Sequence, residues 1–369
     1  VLIEGDKVAA IYGIGERMPD VEALDLSGAA LGPGLIDLHT HGADGVELMN
    51  GGDAVARMGR FFALHGVIGF CPSTVTASWE AIERAVACGR RAMASSPAGA
   101  RVLGVHGAHV LGVHLEGPFL NPERLGAQSP EHCILPTPEN VARLIGMAYD
   151  MPVIVTLAPE VEGGIQAIQS LVEAGVVVSI GHTVASVEEA EAAFVAGATQ
   201  VTHLFNGMPP MHHRAPGVVG AALAAGGVRV ELIADGVHLH STTVRMAIAA
   251  KGVDGVLLVT DSMAAAGCED GEYVLGATKV IVRSGEARLE SGVLAGSTLT
   301  LERAVVNVAR WTGDLAAAWQ MASLNPARQL GLDDRLGRLA PGYEADLMAL
   351  DGYGNVVLTM VGGEIVYRR

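Results

Sequence analysis

Residues 34–42 read GLIDLHTHG, a short apolar run that closes on two histidines two positions apart and a glycine. Successive side chains on a strand alternate between faces, so positions i and i+2 project together. Read as a strand, the stretch carries His39 and His41 side by side at its carboxyl end. That is the end at which barrel enzymes keep their chemistry. Neutral imidazole is the commonest metal ligand, and two aligned imidazoles make half of a site. The plainer reading is two histidines in a polar turn, and the rest of the chain decides between the two.

Outward from this stretch, the chain repeats apolar run, short loop and helical pattern as far as Asp261. The predicted strands are 35–41, 67–74, 110–117, 152–160, 176–183, 201–206, 229–236 and 255–261. Between them, Asp53–Leu64 sets Val55, Met58, Phe61 and Phe62 on one side at helical spacing. Ser186–Ala196 opens with a Ser-x-x-Glu capping box, Ser186 to Glu189. Thr137–Ala148 has Pro138 at a first helical position. Eight strands alternating with helices predict an α/β protein built on a (β/α)8 TIM-like barrel. An open doubly wound sheet is the alternative, but no G-x-G-x-x-G follows a first strand to support dinucleotide binding.

The two ends of the chain read differently. VLIEGDKVAAI predicts a hairpin around Gly5–Asp6, and Leu336–Arg369 returns to short β runs. Pairing the termini gives a small β domain of residues 1–33 and 335–369 beside a barrel of 34–334. Gly271–Gly292 alternates in β fashion and predicts a hairpin on the active face, and Ser297–Arg310 predicts the last barrel helix.

Composition excludes several classes. Aromatics make up 4% of the 369 residues and the net charge is −16. Both argue against a nucleic-acid partner, and the charge argues against an anionic membrane surface. No run approaches the ~18 apolar residues of a membrane span. Cys71, Cys88, Cys133 and Cys268 form no C-x-x-C, which suits free thiols in a reducing cytoplasm. The chain starts at Val1, without a methionine and inside a predicted strand, as a fragment would; a preceding targeting segment is left open.

The predicted strand ends carry a chemical set. The first supplies His39 and His41, the third ends in Glu116, the fifth in His182, the sixth holds His203 and the eighth ends in Asp261. Each alone has an ordinary account: a surface carboxylate, a core histidine, a helix cap. Burying all six without a metal would leave costly polar groups unpaired, so together they point to a metal centre.

The segments PGLIDLHTHG, HLEGPFLNPERLGAQSPEH, SIGHT, VTHLFNGMPPMHHRAPG, ADGVHLH, VTDSMAAAG, LAGSTLTL and NPARQLGL…GRLAPGYEADLM resemble, in order, those of the amidohydrolase superfamily. Within it they are similar to the N-acetylglucosamine-6-phosphate deacetylase family. The resemblance implies that Glu116, His182 and His203 hold the principal divalent metal. Some relatives lack the two strand-one histidines and use one metal. Here His39 and His41 imply a second, with Glu116 as bridge in the role a carboxylated lysine takes elsewhere in the superfamily. Zn, Fe(II), Mn or Co suits such nitrogen and oxygen donors.

The implied reaction is metal-assisted hydrolysis of the acetyl amide of N-acetyl-D-glucosamine 6-phosphate. Asp261, at the end of strand eight, would take the proton of the attacking water and deliver it to the departing amine. Gln128 matches a substrate-contacting position that is histidine in some relatives, which puts an imidazole role there in doubt. Arg214 and His238 match substrate contacts, and a guanidinium fork suits a phosphate. The plain account of Arg214 is a basic surface loop, and that of Asn206 a turn former. Ala127, Asn206, Gly207 and Leu294, Ala295 and Gly296 are implied to line the sugar. A homodimer or a dimer of dimers is expected, because in some members a neighbouring subunit completes the phosphate site. The alternatives are deacetylation of another N-acetyl amino sugar such as the galactosamine epimer, hydrolysis of a different amide, and a non-catalytic scaffold.

Overall fold

In a computed structural model of the chain, the residues described are 1–13, 15–17, 19–26, 28–95, 101–102 and 105–369. Among them, eight parallel strands form the barrel: β1 (Leu35–Thr40), β2 (Val67–Thr74), β3 (Val113–Glu116), β4 (Val153–Leu157), β5 (Val177–Ile180), β6 (Gln200–Val201), β7 (Arg229–Ile233) and β8 (Val256–Val259). Neighbours pair in sequence order from β1 to β8. The ring closes just beyond β8, where Thr40 bridges Ser262 in parallel and Asp261 donates its N–H to the His39 carbonyl at 2.8 Å. The chain is therefore an α/β protein with a (β/α)8 barrel, and β1, β2, β3, β4 and β8 are buried at every position. Continuous burial is what crossover helices impose on parallel strands.

The helices pack their apolar faces on this ring. Ala54–Leu64 buries Val55, Met58, Phe61 and Phe62. Pro138–Ala148 starts at a Thr137 cap whose hydroxyl accepts the Asn140 N–H. Val187–Val195 carries both bonds of the expected capping box, Ser186 with Glu189. The barrel interior at mid-height is polar: His114 bonds Ser73 and Thr156, and Thr156 and Ser179 both bond Thr202. Burial holds His114 neutral, well below the ordinary imidazole range, and its two hydroxyl partners satisfy both ring nitrogens.

A small antiparallel sheet, separate from the barrel, joins the two ends of the chain, in the order Glu364–Arg368, Val356–Val361, Leu347–Leu350, Ala30–Pro33. The expected N-terminal hairpin forms from Leu2–Glu4 and Lys7–Ala10 and touches this unit through a Lys7–Glu344 bridge. Trp319 donates its indole N–H to the Pro33 carbonyl at 2.7 Å and so ties the sheet to the barrel helices. Gly66 makes the turn into β2 at φ +76°, and a side chain there would collide with Met348 of the small sheet.

Four expectations are corrected. The run 110–117 is not one strand: His109–Val110 pairs with β2, and β3 begins at Val113. Gly112 lies between them, where the backbone passes against Pro152 too closely for any Cβ. The run 201–206 leaves the ladder after Val201, because the His203 N–H is taken by the Glu231 carboxylate at 3.0 Å and the backbone turns left-handed at His203 and Phe205. The last barrel helix is Leu301–Thr312, not 297–310, since Ser297 is held in a bridge to Ser262. The segment 271–292 forms three antiparallel strands, not a hairpin: Gly271–Leu275, Thr278–Arg283 and Glu286–Arg288. They close over a small core of Val75, Met263, Leu275, Val280, Val282, Ala287 and Ala295.

Asp346, next to the small sheet, gives a pH test of this packing. Its Oδ1 accepts the Gly362 N–H at 2.5 Å, and its Oδ2 is buried without a partner. Burial, reinforced by the nearby Glu344 charge, pushes the carboxyl up to about 7 despite the Gly362 bond and the Arg335 and Lys7 charges. Between the ordinary aspartate value of ~3.9 and about 7, the folded chain keeps a proton that the unfolded chain has lost. Stability therefore falls as pH rises through that window, by at most about 4 kcal/mol at ~1.4 per unit. Asp346→Asn should flatten the slope of the urea midpoint between pH 4 and 8. An unchanged slope would mean that Asp346 is ionised in the folded chain.

Candidate active site

The carboxyl ends of the strands open into a cavity of about 440 Å³. Its wall holds His41, Glu116, Ala127, Gln128, His182, His203, Asn206, Gly207, His238, Asp261, Leu294 and Gly296, all expected from the sequence. His39 lies directly beneath, with no exposed surface. Ala295 is buried behind the wall in the small core under the three-stranded insertion. Arg214 is not brought in: it is exposed, its Nη1 is 2.7 Å from His213 Nε2, and it does not line the cavity.

Glu116, at the end of β3, is the centre of the arrangement. Its Oε1 lies 3.1 Å from His182 Nε2 and 3.1 Å from His203 Nε2, and those two nitrogens are 3.1 Å from each other. On the far side of each ring, Nδ1 faces a backbone carbonyl, Arg124 O at 2.7 Å for His182 and Asn206 O at 3.1 Å for His203. A carbonyl only accepts, so each Nδ1 carries the hydrogen and each Nε2, the nitrogen left to bind a cation, is turned inward. Two ring nitrogens and a carboxylate oxygen thus converge, and although burial pulls the His203 imidazole down, Glu116 and Asp261 draw it up toward the charged form. A cation satisfies that triangle.

A second set shares the same carboxylate. His41 Nε2 is 3.3 Å from Glu116 Oε2 and 3.2 Å from Asp261 Oδ1. His39 Nε2 is 3.5 Å from Glu116 Oε1 and 3.4 Å from the same Asp261 oxygen. His39 Nε2 and His41 Nδ1 are buried without a hydrogen-bond partner. The donor atoms of His39, His41 and Glu116 fall within 4.8 Å of one another, as do those of Glu116, His182 and His203. This all-nitrogen-and-oxygen donor set fits a divalent metal such as Zn²⁺.

The electrostatics point the same way. Burial pulls both strand-one imidazoles down, yet the carboxylates outweigh it. Asp261, Glu231 and Glu116 draw His39 up to about 9, and Asp261 and Glu116 draw His41 up to about 10. Burial pushes Glu116 and Asp261 up, and the histidines outweigh that too, holding Glu116 well below the usual carboxylate range and Asp261 at about 2. The pocket is a sink for positive charge. His182, His203 and Asp261 all adopt left-handed backbone, at φ +47°, +30° and +48°. Non-glycine residues hold such angles only where surrounding structure enforces them.

Gln128 was expected from the sequence but not its anchoring, and two residues, Arg288 and Glu231, escaped it. Gln128 is fixed from both sides, its Oε1 accepting the Thr76 N–H at 2.7 Å while its Nε2 donates to Glu116 Oε2. Arg288, from the insertion, is the one guanidinium among the described residues of the cavity wall. Its charge is already met by Glu286 at 2.8 Å. Glu231 is buried under His39. The signal for Glu231 was present, an acidic residue inside the apolar run RVELI.

The chain matches the amidohydrolase family over residues 30–366. The N-acetylglucosamine-6-phosphate deacetylase of Lysinibacillus sphaericus is 39% identical over 94% of this chain and 87% of that protein. The N-acetylgalactosamine-6-phosphate deacetylase of Escherichia coli is also 39% identical, over 90% of this chain and 86% of that protein. A mutant N-acetyl-D-glucosamine-6-phosphate deacetylase of Mycobacterium smegmatis, solved in complex with N-acetyl-D-glucosamine-6-phosphate, superposes with a TM-score of 0.90 at 36% identity. That match covers 99% of this chain and 93% of the other.

Protein stripped with a strong chelator should melt at a higher temperature once Zn²⁺ is returned. The gain is about 2.7 kcal/mol at a hundredfold excess over Kd. His203→Ala removes one of the converging nitrogens and should abolish most of the rise. A stripped protein whose melting ignores Zn²⁺, Mn²⁺, Co²⁺ and Fe²⁺ alike would mean that protons alone hold the triangle.

Proposed function

The chain belongs to the amidohydrolase family, and from that premise we propose that it removes the acetyl group from N-acetyl-D-glucosamine 6-phosphate. The products are glucosamine 6-phosphate and acetate, and the enzyme serves amino-sugar metabolism. The observation that carries this reading is the convergence of His182, His203 and Glu116 beside Asp261 in an open cavity. The full-length similarity to deacetylases of this substrate supports it.

Glu116, His182 and His203 would hold the principal divalent cation, and His39, His41 and Glu116 a second. When bound, such an ion supplies Lewis-acid polarisation and brings water within reach of deprotonation near pH 7. The remaining work falls to side chains. Asp261, ionised and lining the cavity at the end of β8, takes the proton of the attacking water and returns it to the amine nitrogen as the C–N bond breaks. Gln128 cannot flip without losing its Thr76 bond, so one amide hydrogen stays on Glu116 and the other is left for the acetyl oxygen. Asp235 holds His238 at Nδ1, 2.7 Å away, which leaves Nε2 for the sugar phosphate. Ala127, Asn206, Gly207 and Leu294–Gly296 frame the sugar ring. Arg214 stands outside its own cavity and would reach a phosphate by way of a second copy in a homodimer. A phosphorylated sugar does not cross a bilayer unaided, so the reading places the enzyme in the cytoplasm with its substrate.

The galactosamine epimer is the second reading, favoured by the equal identity to a deacetylase of that substrate. Acetate release should be followed with N-acetylglucosamine 6-phosphate, N-acetylgalactosamine 6-phosphate and unphosphorylated N-acetylglucosamine, with the metal content assayed alongside. Turnover confined to the glucosamine phosphate and lost with chelator is expected. Preference for the galactosamine phosphate would move the function to the second reading. Asp261→Asn should keep its metal and lose ~10²–10⁴-fold in rate. Arg214→Ala should raise KM for the phosphorylated sugar alone, and an equal effect on the unphosphorylated sugar would remove Arg214 from the phosphate site.

A further inference from the structure

Glu231 takes no part in the chemistry derived above, yet it touches both donor sets. It stands on β7 with no exposed surface. Its Oε2 is 2.9 Å from His39 Nδ1 and also accepts the backbone N–H of His203 at 3.0 Å. Its Oε1 accepts the Gln200 side-chain amide at 2.5 Å. The three donors come from β1, from β6 and from the turn that leaves β6. Among the described residues no lysine or arginine pairs with this carboxylate, and its ion-pair partner is His39 alone.

We propose that Glu231 is the positioning residue of the centre. It fixes His39 in the tautomer that carries hydrogen on Nδ1, and through the same oxygen it sets where His203 stands. Binding of the second cation by His39 and His41 depends on it.

A carboxylate that accepts three N–H groups leaves the hydrogen on the His39 nitrogen facing it, so Nε2 is the ring nitrogen that can give up its proton to a cation. That Nε2 points at Glu116 and Asp261, 3.5 and 3.4 Å away, where a cation would sit. A carboxylate behind a ligating imidazole also raises the basicity of the ligand, and loss of such a partner typically costs ~10–100-fold in metal affinity. The second link is less usual. The His203 N–H bonds a side chain because the chain has left the β6 ladder there, at φ +30°. One buried oxygen therefore restrains a ligand of each set, His39 through its ring and His203 through its backbone. An amide in place of the carboxylate brings one accepting oxygen and one donating NH₂ to a point where three N–H groups arrive. His39 is then released to the other tautomer or to another ring orientation.

This inference rests on the metal-centre part of the proposed function, and the test separates the two. Zn²⁺ affinities of both sites are measured by competition with a chromophoric chelator for the wild type, Glu231→Gln and Glu231→Asp. In parallel, ¹⁵N-histidine NMR of the metal-free and Zn²⁺-loaded proteins, with His39→Asn to assign the signal, reads whether His39 Nδ1 carries hydrogen and, once Nε2 is unprotonated, the His39 tautomer. In Glu231→Gln the weaker-bound Zn²⁺ should lose ~10–100-fold in affinity, with a smaller change at the tighter site. The Nδ1–H signal of His39 should fade, and Glu231→Asp should restore part of both. A folded Glu231→Gln with wild-type affinity at both sites and an unchanged His39 tautomer overturns the proposal. If Glu231→Gln fails to fold, Gln200→Leu, which removes one of the three bonds, should weaken the second Zn²⁺ several-fold, and no change there overturns it equally. Wild-type protein that binds no Zn²⁺ at all would overturn the metal reading itself and the cation part of this inference. The NMR would still decide the tautomer.

Discussion

One carboxylate, Glu116, presents Oε1 to His182 and His203 and Oε2 to His41 and Gln128. It is nearly inaccessible to water. A buried anion costs several kcal/mol unless its neighbours repay it. Here the strand-one imidazoles His39 and His41, themselves drawn toward carrying positive charge, help repay it. The rest of the barrel end follows from that exchange. β3 has to stop where Glu116 reaches the axis, and β5 has to hand over to a left-handed turn so that His182 can face it. The chain after β6 has to abandon its ladder to bring in His203.

Such an arrangement needs a floor that does not give. Below the histidines the barrel is filled with side chains that bond one another: Ser73, His114, Thr156, Thr202 and Ser179. His114 packs edge-on against His39 with ring centres 4.4 Å apart. Asp37 accepts from the Thr260 hydroxyl at 2.6 Å and so ties β1 to the end of β8, where the ring closes. Partly satisfied polar cores are costly, while fully satisfied ones specify one geometry. Among its buried unpartnered atoms, His39 Nε2 and His41 Nδ1 belong to the donor set, while Thr74 Oγ1 and Gln200 Oε1 lie outside it.

The sequence carried the barrel because two periodicities were clean. Mostly apolar runs of six to nine residues alternate with helices whose caps can be read from single residues, such as Ser186 and Thr137. It carried most of the cavity because catalytic groups in this fold gather at strand ends. Its failures share one cause: tertiary contacts that replace local ones. The 201–206 run looked like a strand, and no periodicity shows that Glu231, 28 residues beyond His203, would take its backbone hydrogen. Ser297 looked like a helix start, but a bridge to Ser262 claims it. Glu231 itself was passed over because an acid inside RVELI reads as an interruption until the partners above it are in place.

Charge sets the last constraint. The chain carries −16, and the proposed substrate brings a phosphate into a cavity already lined by Glu116 and Asp261. Divalent cations at the two histidine sets would offset the carboxylates but lie at the amide end of the substrate. The phosphate end needs its own positive charge, and a single chain supplies little. His238 is tied to Asp235, and Arg288 is spoken for by Glu286. Among the described residues Arg214, beside His212 and His213 on the exposed loop, forms no ion pair with a carboxylate. Under the proposed function that loop is where phosphate specificity is proposed to come from. Its displacement from its own cavity is the physical reason to expect the working site to be completed by a second copy.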